Sequence, residues 1–151
     1  MKKIIQMLAI GLFFISNLNG QKLEEYIWKN RILIIESPNT ANVRYKSQIN
    51  ELVNLEKGLL DRRILIIEIV ENKYKTTNYL LEQNDEQWKK LENRGEKSKI
   101  EEFKVTLIGL DGNVKLEKKE KLKKEELFKI IDSMPMRKHE LSNKIKGKKN
   151  N

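Results

Sequence analysis

Four apolar residues run without alternation between two charges at Arg31–Glu36, and the same string, Arg-Ile-Leu-Ile-Ile-Glu, returns at Arg63–Glu68. An unalternating β-branched run of this length is the pattern of a strand covered on both faces. The copies start 32 residues apart, enough for a strand, a crossover helix and a second strand parallel to the first. Between them the breaker cluster Ser37-Pro38-Asn39-Thr40-Ala41-Asn42 gives way to helical spacing. Tyr45, Ile49, Leu52 and Val53 fall on one face and Gly58 is placed to stop the helix, so a helix is expected over Val43–Lys57. Asp61-Arg62-Arg63 then turns the chain into a second strand, Arg63–Val70.

The flanking patterns are weaker. Leu23–Trp28 predicts a short helix leading into the first strand, with Trp28 packed over the sheet edge. Residues 72–83 fit either an edge strand, from the alternation in Lys-Tyr-Lys-Thr-Thr-Asn-Tyr, or a helix beginning at Tyr79. Asn84 suits a helix cap, with Gln87 three residues on and Gly95 as a stop, which predicts a helix over Asp85–Arg94. Phe103–Leu110 reads as a strand, Asp111-Gly112 as a hairpin turn and Asn113–Leu116 as the antiparallel partner. Glu125 and Glu126 open a last helix whose apolar face is Leu127, Phe128, Ile131 and Met134, ended by Pro135. Ile131 and Met134 should be buried against the sheet, with Arg137 delivered back over the helix end. The order β-α-β-(α)-β-β-α predicts an α/β fold, a three-layer α/β/α sandwich with a mixed four- or five-stranded sheet, in the element order of a thioredoxin-like domain.

The two ends change the picture. Met1-Lys2-Lys3, the apolar stretch Ile4–Ile15 and the polar run Ser16–Gly20 read as a secretory signal cleaved near Gly20-Gln21. The apolar stretch is shorter than the roughly 20 residues of a spanning helix, so no membrane span is expected after cleavage, and the protein is expected to be periplasmic or secreted. In the 151-residue chain, 38% hydrophobic and 35% charged, one domain is expected over residues 21–136. Of the net charge of +9, the segment Arg137–Asn151 carries six basic residues against Glu140. Residues 137–151 are therefore expected to form a basic, disordered, solubilising tail. Attraction to an acidic polymer or a membrane surface is the alternative, but no aromatic residue interleaves the lysines after His139 and no specific nucleic-acid partner is expected.

Composition also removes whole classes of chemistry. The chain has no cysteine, which excludes thiol catalysis, disulfides and a cysteine-linked lipid anchor. His139 is the only histidine and lies beside the basic segment, a poor place for a nucleophilic relay. No glycine-rich phosphate loop or metal-ligand spacing is present, and Asp132 with Glu140 reads as a capping and ion-pairing set. No cofactor and no metal is expected. At the carboxyl end of the first strand, where open α/β sheets hold ligands, Ser37, Asn39, Thr40 and Arg44 form one candidate site, able to bind an anion at the start of the helix.

Several segments resemble the family called domain of unknown function 4174. They are Tyr26-Ile27-Trp28-Lys29-Asn30-Arg31, the Asp61-Arg62 pair, Leu107–Gly112 with Lys115, and above all Ile131-Asp132-Ser133-Met134-Pro135-Met136-Arg137. The family looks thioredoxin-like, and similar modules occur in the sushi-repeat-containing and coiled-coil-domain-containing 80 extracellular matrix proteins. The resemblance covers roughly Leu23–Glu140; Leu110 stands where a lysine is expected, and the connection over Asn72–Lys99 is longer than usual. It singles out Arg31, Asp132 and Arg137 as further candidates for a ligand or partner site; the structural alternative is that Arg31 and Arg137 pair with Asp61 and Asp132 to lock the closing helix. The function expected is a non-catalytic binding or interaction module for an unknown protein or small anionic ligand in the envelope, the alternatives being a thiol-independent enzyme with the anion site at Ser37–Arg44, or acidic-polymer binding through Lys144–Lys149.

Overall fold

The computed structural model of the chain describes residues 23–79, 87–91 and 99–149. The expected signal segment, residues 1–20, lies outside them.

Six strands form one mixed sheet in the order β4-β3-β2-β1-β5-β6. The central pair is β1 (Arg31–Ser37) and β2 (Ile64–Val70), parallel as expected from the repeated string. β5 (Lys104–Ile108) runs antiparallel to β1, and β6 (Val114–Lys118) closes that edge as the hairpin partner of β5. Gly112 sits in the connecting turn at φ 75°, a conformation open to glycine at little cost, and Ile27 packs against it. On the other edge lie β3 (Lys73–Asn78) and β4 (Lys89–Lys90). The α/β class is as expected, but the sheet has six strands, not four or five. Residues 73–78 take the edge-strand option. The helix expected over Asp85–Arg94 is not formed at Lys89–Lys90, which pair with β3, and the Leu91 amide donates to the Asn72 carbonyl at 2.8 Å. Residues 85, 86 and 92–94 of that stretch lie outside the described residues.

The helix expected over Val43–Lys57 is two helices, α1 (Val43–Leu52) and α2 (Glu56–Asp61). Val53 is extended and Asn54 has a φ of 63°, so the chain turns before Gly58 and not at it. Gly58 lies inside α2 for a different reason: a Cβ there would stand 2.8 Å from Phe128 Cζ. Its use is close approach between α2 and α3 (Lys124–Ser133).

Pro135 ends α3 and at once begins α4 (Pro135–Lys149), the position at the start of a helix where a missing amide costs nothing. The disordered tail expected from Arg137 is thus a helix through Lys149, and its first turns belong to the packed body. Trp28 is also not where the pattern put it. It is 64% exposed, at a φ of 67°, and its backbone amide donates to the Leu110 carbonyl at 2.7 Å.

Each face of the sheet has its own core. Leu33, Ile35, Ile64 and Ile66 pack with Tyr45, Leu52, Leu127 and Ile131 of the helices, and Met134 lies against the same cluster. The opposite face carries Ile32, Ile34, Leu65, Ile67 and Ile108, covered among the described residues by Leu23, Tyr26, Leu91 and Ile100. Helix α1 is also pinned through buried Gln48. Its side chain donates to the Leu122 carbonyl at 3.1 Å and accepts from the Leu122 amide at 2.7 Å.

Candidate functional site

Two of the candidate arginines come together at the amino end of the parallel pair. Arg31 is the first residue of β1, and its side chain points to the helix-covered face, where it is fully buried. Its Nη1 donates to the Arg62 carbonyl at 2.8 Å, and its Nη2 lies 3.2 Å from Glu140 Oε1. Arg137, 1% exposed, reaches the same place from the first turn of α4. Its Nη1 donates to the Asp61 carbonyl at 2.7 Å and to Glu140 Oε2 at 3.3 Å, and its Nε donates to Asp132 Oδ1 at 3.2 Å. Its Nη2 pairs with the Asp61 carboxylate, which Lys144 grips from the other side.

Local sequence explains the convergence. Pro135 redirects the chain between α3 and α4, and the three-residue step from Arg137 to Glu140 puts both on one helix face. Arg62 adds a fork on Asp132, with Nη2 at 2.6 Å from Oδ2 and Nε at 3.1 Å from Oδ1, and its guanidinium stacks 4.0 Å over the Phe128 ring. The locking role considered for Arg31 and Arg137 is therefore present with changed partners. Arg137 holds Asp61 and Asp132, whereas Arg31 holds Glu140.

Four cations, Arg31, Arg62, Arg137 and Lys144, thus share three carboxylates, and the titrations follow. The hydrogen bond from Lys144 lowers Asp61; burial works against it, and Arg137 adds to the lowering. At Asp132 burial would raise the carboxyl, but the hydrogen bonds from Arg62 and Arg137 outweigh it and the net shift is downward. Arg137 itself is opposed by burial and raised by Asp61, Asp132 and Glu140. Asp61 and Asp132 are thereby held as carboxylates and Arg137 as a cation at neutral pH.

Beside it opens a cleft of about 710 Å³ between α2 and α4, lined by Lys57, Leu60, Asp61, Arg63, Arg137, His139, Glu140, Asn143 and Lys144. Asp61 is paired with three cations, Arg62, Arg137 and Lys144, and Glu140 with two, Arg31 and Arg137. Lys57 and Arg63 have no carboxylate partner among the described residues. His139 Nε2 and Asn143 Nδ2 stand 3.1 Å apart on the α4 side. Among the described residues no group of His, Asp and Glu side chains is arranged to hold a metal ion, and no helix is long and apolar enough to cross a membrane.

The other four candidates lie at the opposite end of β1, whose seven residues span about 20 Å. Ser37 is buried and its hydroxyl donates to the Asn39 carbonyl at 2.8 Å, while Asn39 and Thr40 are exposed in the turn. Asn42, not one of the candidates, caps α1, accepting from the amides of Arg44 at 2.9 Å and Tyr45 at 3.2 Å. Those are the donors an anion at this helix start would use. Arg44 extends the other way, to the Lys119 carbonyl at 3.3 Å. Nearby, the Tyr45 hydroxyl donates to Glu68 at 2.6 Å and Lys75 pairs with Glu68 at 2.9 Å. Burial, and then Glu68, push the Tyr45 phenol well up.

The seven candidate residues therefore form two groups, not one site. Lys57, Arg63, Asn143 and Lys144 were not singled out as cleft residues by the sequence. The available signal was the Pro-x-Arg-x-x-Glu spacing from Pro135 to Glu140, which marks a helix start with a paired face where only a stop was read.

A family model described as a domain of unknown function, DUF4174, matches residues 22–140, and the chain belongs to that family. The match takes in Arg31, Asp61, Arg62, Asp132, Arg137 and Glu140 and stops before Asn143 and Lys144. No curated protein and no solved structure matches the chain.

Proposed function

We propose that this member of the domain of unknown function 4174 family is an exported, non-catalytic binding module that holds its ligand or partner in the cleft at the amino ends of β1 and β2. The carrying observation is the cleft itself, built over Arg137, a residue 1% exposed that nonetheless lines an opening of about 710 Å³. Its volume is within the range of small-ligand sites, roughly 300–1,000 Å³. Supporting the binding role is the charge network behind it, which holds Arg137 in place at the cleft wall through Asp61, Asp132 and Glu140, in a chain without a thiol.

On this reading the domain is thioredoxin-like and similar to the modules of the sushi-repeat-containing and coiled-coil-domain-containing 80 matrix proteins. The strand order β2-β1-β5-β6, with a parallel pair joined through helices and a hairpin followed by a helix, supports that assignment. The signal-like segment before residue 21 supports a periplasmic or extracellular location.

Capture from envelope and secreted fractions tests the function, with the purified protein compared against a Lys57→Glu/Arg63→Glu variant. Species retained by the protein and lost from the variant are expected. Identical capture by both would place binding elsewhere and sink the reading.

A further inference from the structure

We infer that the cleft selects a ligand carrying a doubly negative head group, a phosphate monoester or a dicarboxylate, on a small organic body. The inference rests on the proposed binding role of this cleft and adds the class of its ligand. The lining cations are Lys57, Arg63, Arg137 and Lys144, and the lining carboxylates are Asp61 and Glu140. Both carboxylates are already engaged, Asp61 by Arg137 and Lys144, and Glu140 by Arg31 and Arg137. Lys57 and Arg63 remain as two positive charges that no carboxylate among the described residues offsets, both exposed on the α2 side of the opening.

A cation is disfavoured there because each carboxylate is already shared among at least two basic groups, and an additional like charge would be repelled. A singly charged anion would leave one of the two surplus charges unmatched. The size of the opening, about 710 Å³, is far beyond a bare ion. Leu60, 41% exposed, and the methylene stems of Lys57 and Lys144 supply apolar contact for the body. Asn143 and His139, side by side on α4, supply hydrogen-bonding groups for its polar edge. Arg63 is suited to a forked contact with a carboxylate or phosphate, and Lys57 to a point-charge contact.

Calorimetric titration of the purified protein at low salt with methyl phosphate, succinate and acetate tests this. At least one dianion is expected to bind tenfold or more tightly than acetate, and which one binds identifies the source of the head group. The Lys57→Ala/Arg63→Ala variant should lose at least tenfold in that affinity. A Lys138→Ala/Lys146→Ala variant, which removes the same charge from α4 outside the cleft lining, should stay within twofold. Because all four side chains are exposed, unchanged melting temperatures will show that the variants are folded. Acetate binding as tightly as the dianions would overturn the charge selection while leaving the cleft as a binding site. No binding of any probe would overturn the ligand class, with the capture experiment still judging the binding role independently. Equal losses in the two double variants would mean diffuse surface attraction and would overturn the inference.

Discussion

The two copies of Arg-Ile-Leu-Ile-Ile-Glu have one sequence and opposite fates. They start 32 residues apart, yet in the sheet Arg31 stands opposite Ile64, not Arg63. In a strand a shift of one residue turns every side chain to the other face. Leu33 and Ile35 of the first copy therefore share the helix-covered core with Ile64 and Ile66 of the second. Glu68 is buried on that face with Tyr45, whereas Glu36, at the matching place in the first copy, lies on the other face and pairs with Lys104 at 3.0 Å. Arg63 never enters the strand. At a φ of 51° it closes the turn after α2, with its amide donating to the Leu60 carbonyl at 2.9 Å and its carbonyl accepting from the Arg31 amide at 2.8 Å. One arginine is thereby locked into a buried network, while its repeat equivalent faces the cleft.

The largest expected difference is between the two arginines. Arg31→Ala strips Glu140 and the Arg62 carbonyl of a buried donor and should cost about 3–5 kcal/mol, whereas Arg63→Ala should stay within about 0.5 kcal/mol. Urea unfolding of the two variants measures both, and equal losses would mean that Arg63 is as structural as Arg31. The two glutamates differ in the same sense but less. Glu68→Ala leaves the Tyr45 hydroxyl and Lys75 without their acceptor in a buried place and should cost about 1–3 kcal/mol; Glu36→Ala breaks one half-buried pair and should cost at most about 1 kcal/mol.

Acid separates the two turns before the strands. Asp61 and Asp132 have folded-state pKa values below the ordinary 3.8. The stability they add is complete above the unfolded carboxylate range and is lost as pH falls from about 4 through the lowered values. The urea midpoint should drop over that window, and Asp132→Asn should make the drop shallower; an unchanged slope would show that the carboxylate does not report on folding. The smallest expected effect is favourable. Arg63→Gly relieves a side chain held at a φ of 51° and should change stability by no more than about 1 kcal/mol, towards gain, without touching the network that Arg31→Gly would destroy.

What could be read from the chain alone follows from how local each signal is. The apolar runs at Ile32–Ile35 and Ile64–Ile67 demand burial on both faces, so two parallel covered strands were legible, as were the Asp-Gly hairpin and the face of α3 through Leu127 and Ile131. The edge strand β3 was legible as one of two options, but β4 was not, because Lys89–Lys90 is a strand only by virtue of the Lys73–Tyr74 backbone it pairs with. Of the nine cleft-lining residues only Arg137 was a site candidate, for a similar reason: exposed side chains on α2 and α4 such as Lys57 and Leu60 carry no periodic signature, and their meeting depends on how the two helices dock.

By itself the sequence determined the class of fold and the absence of thiol chemistry. Only the tertiary structure decided the register of the repeated strands and the partners of the buried charges. Four consecutive apolar residues satisfy a doubly covered strand equally well facing either way, so nothing inside the string distinguishes its two settings. The choice is made outside it, by the turn at Arg62–Arg63 and by an α4 helix that brings Arg137 and Glu140 back over the end of β1.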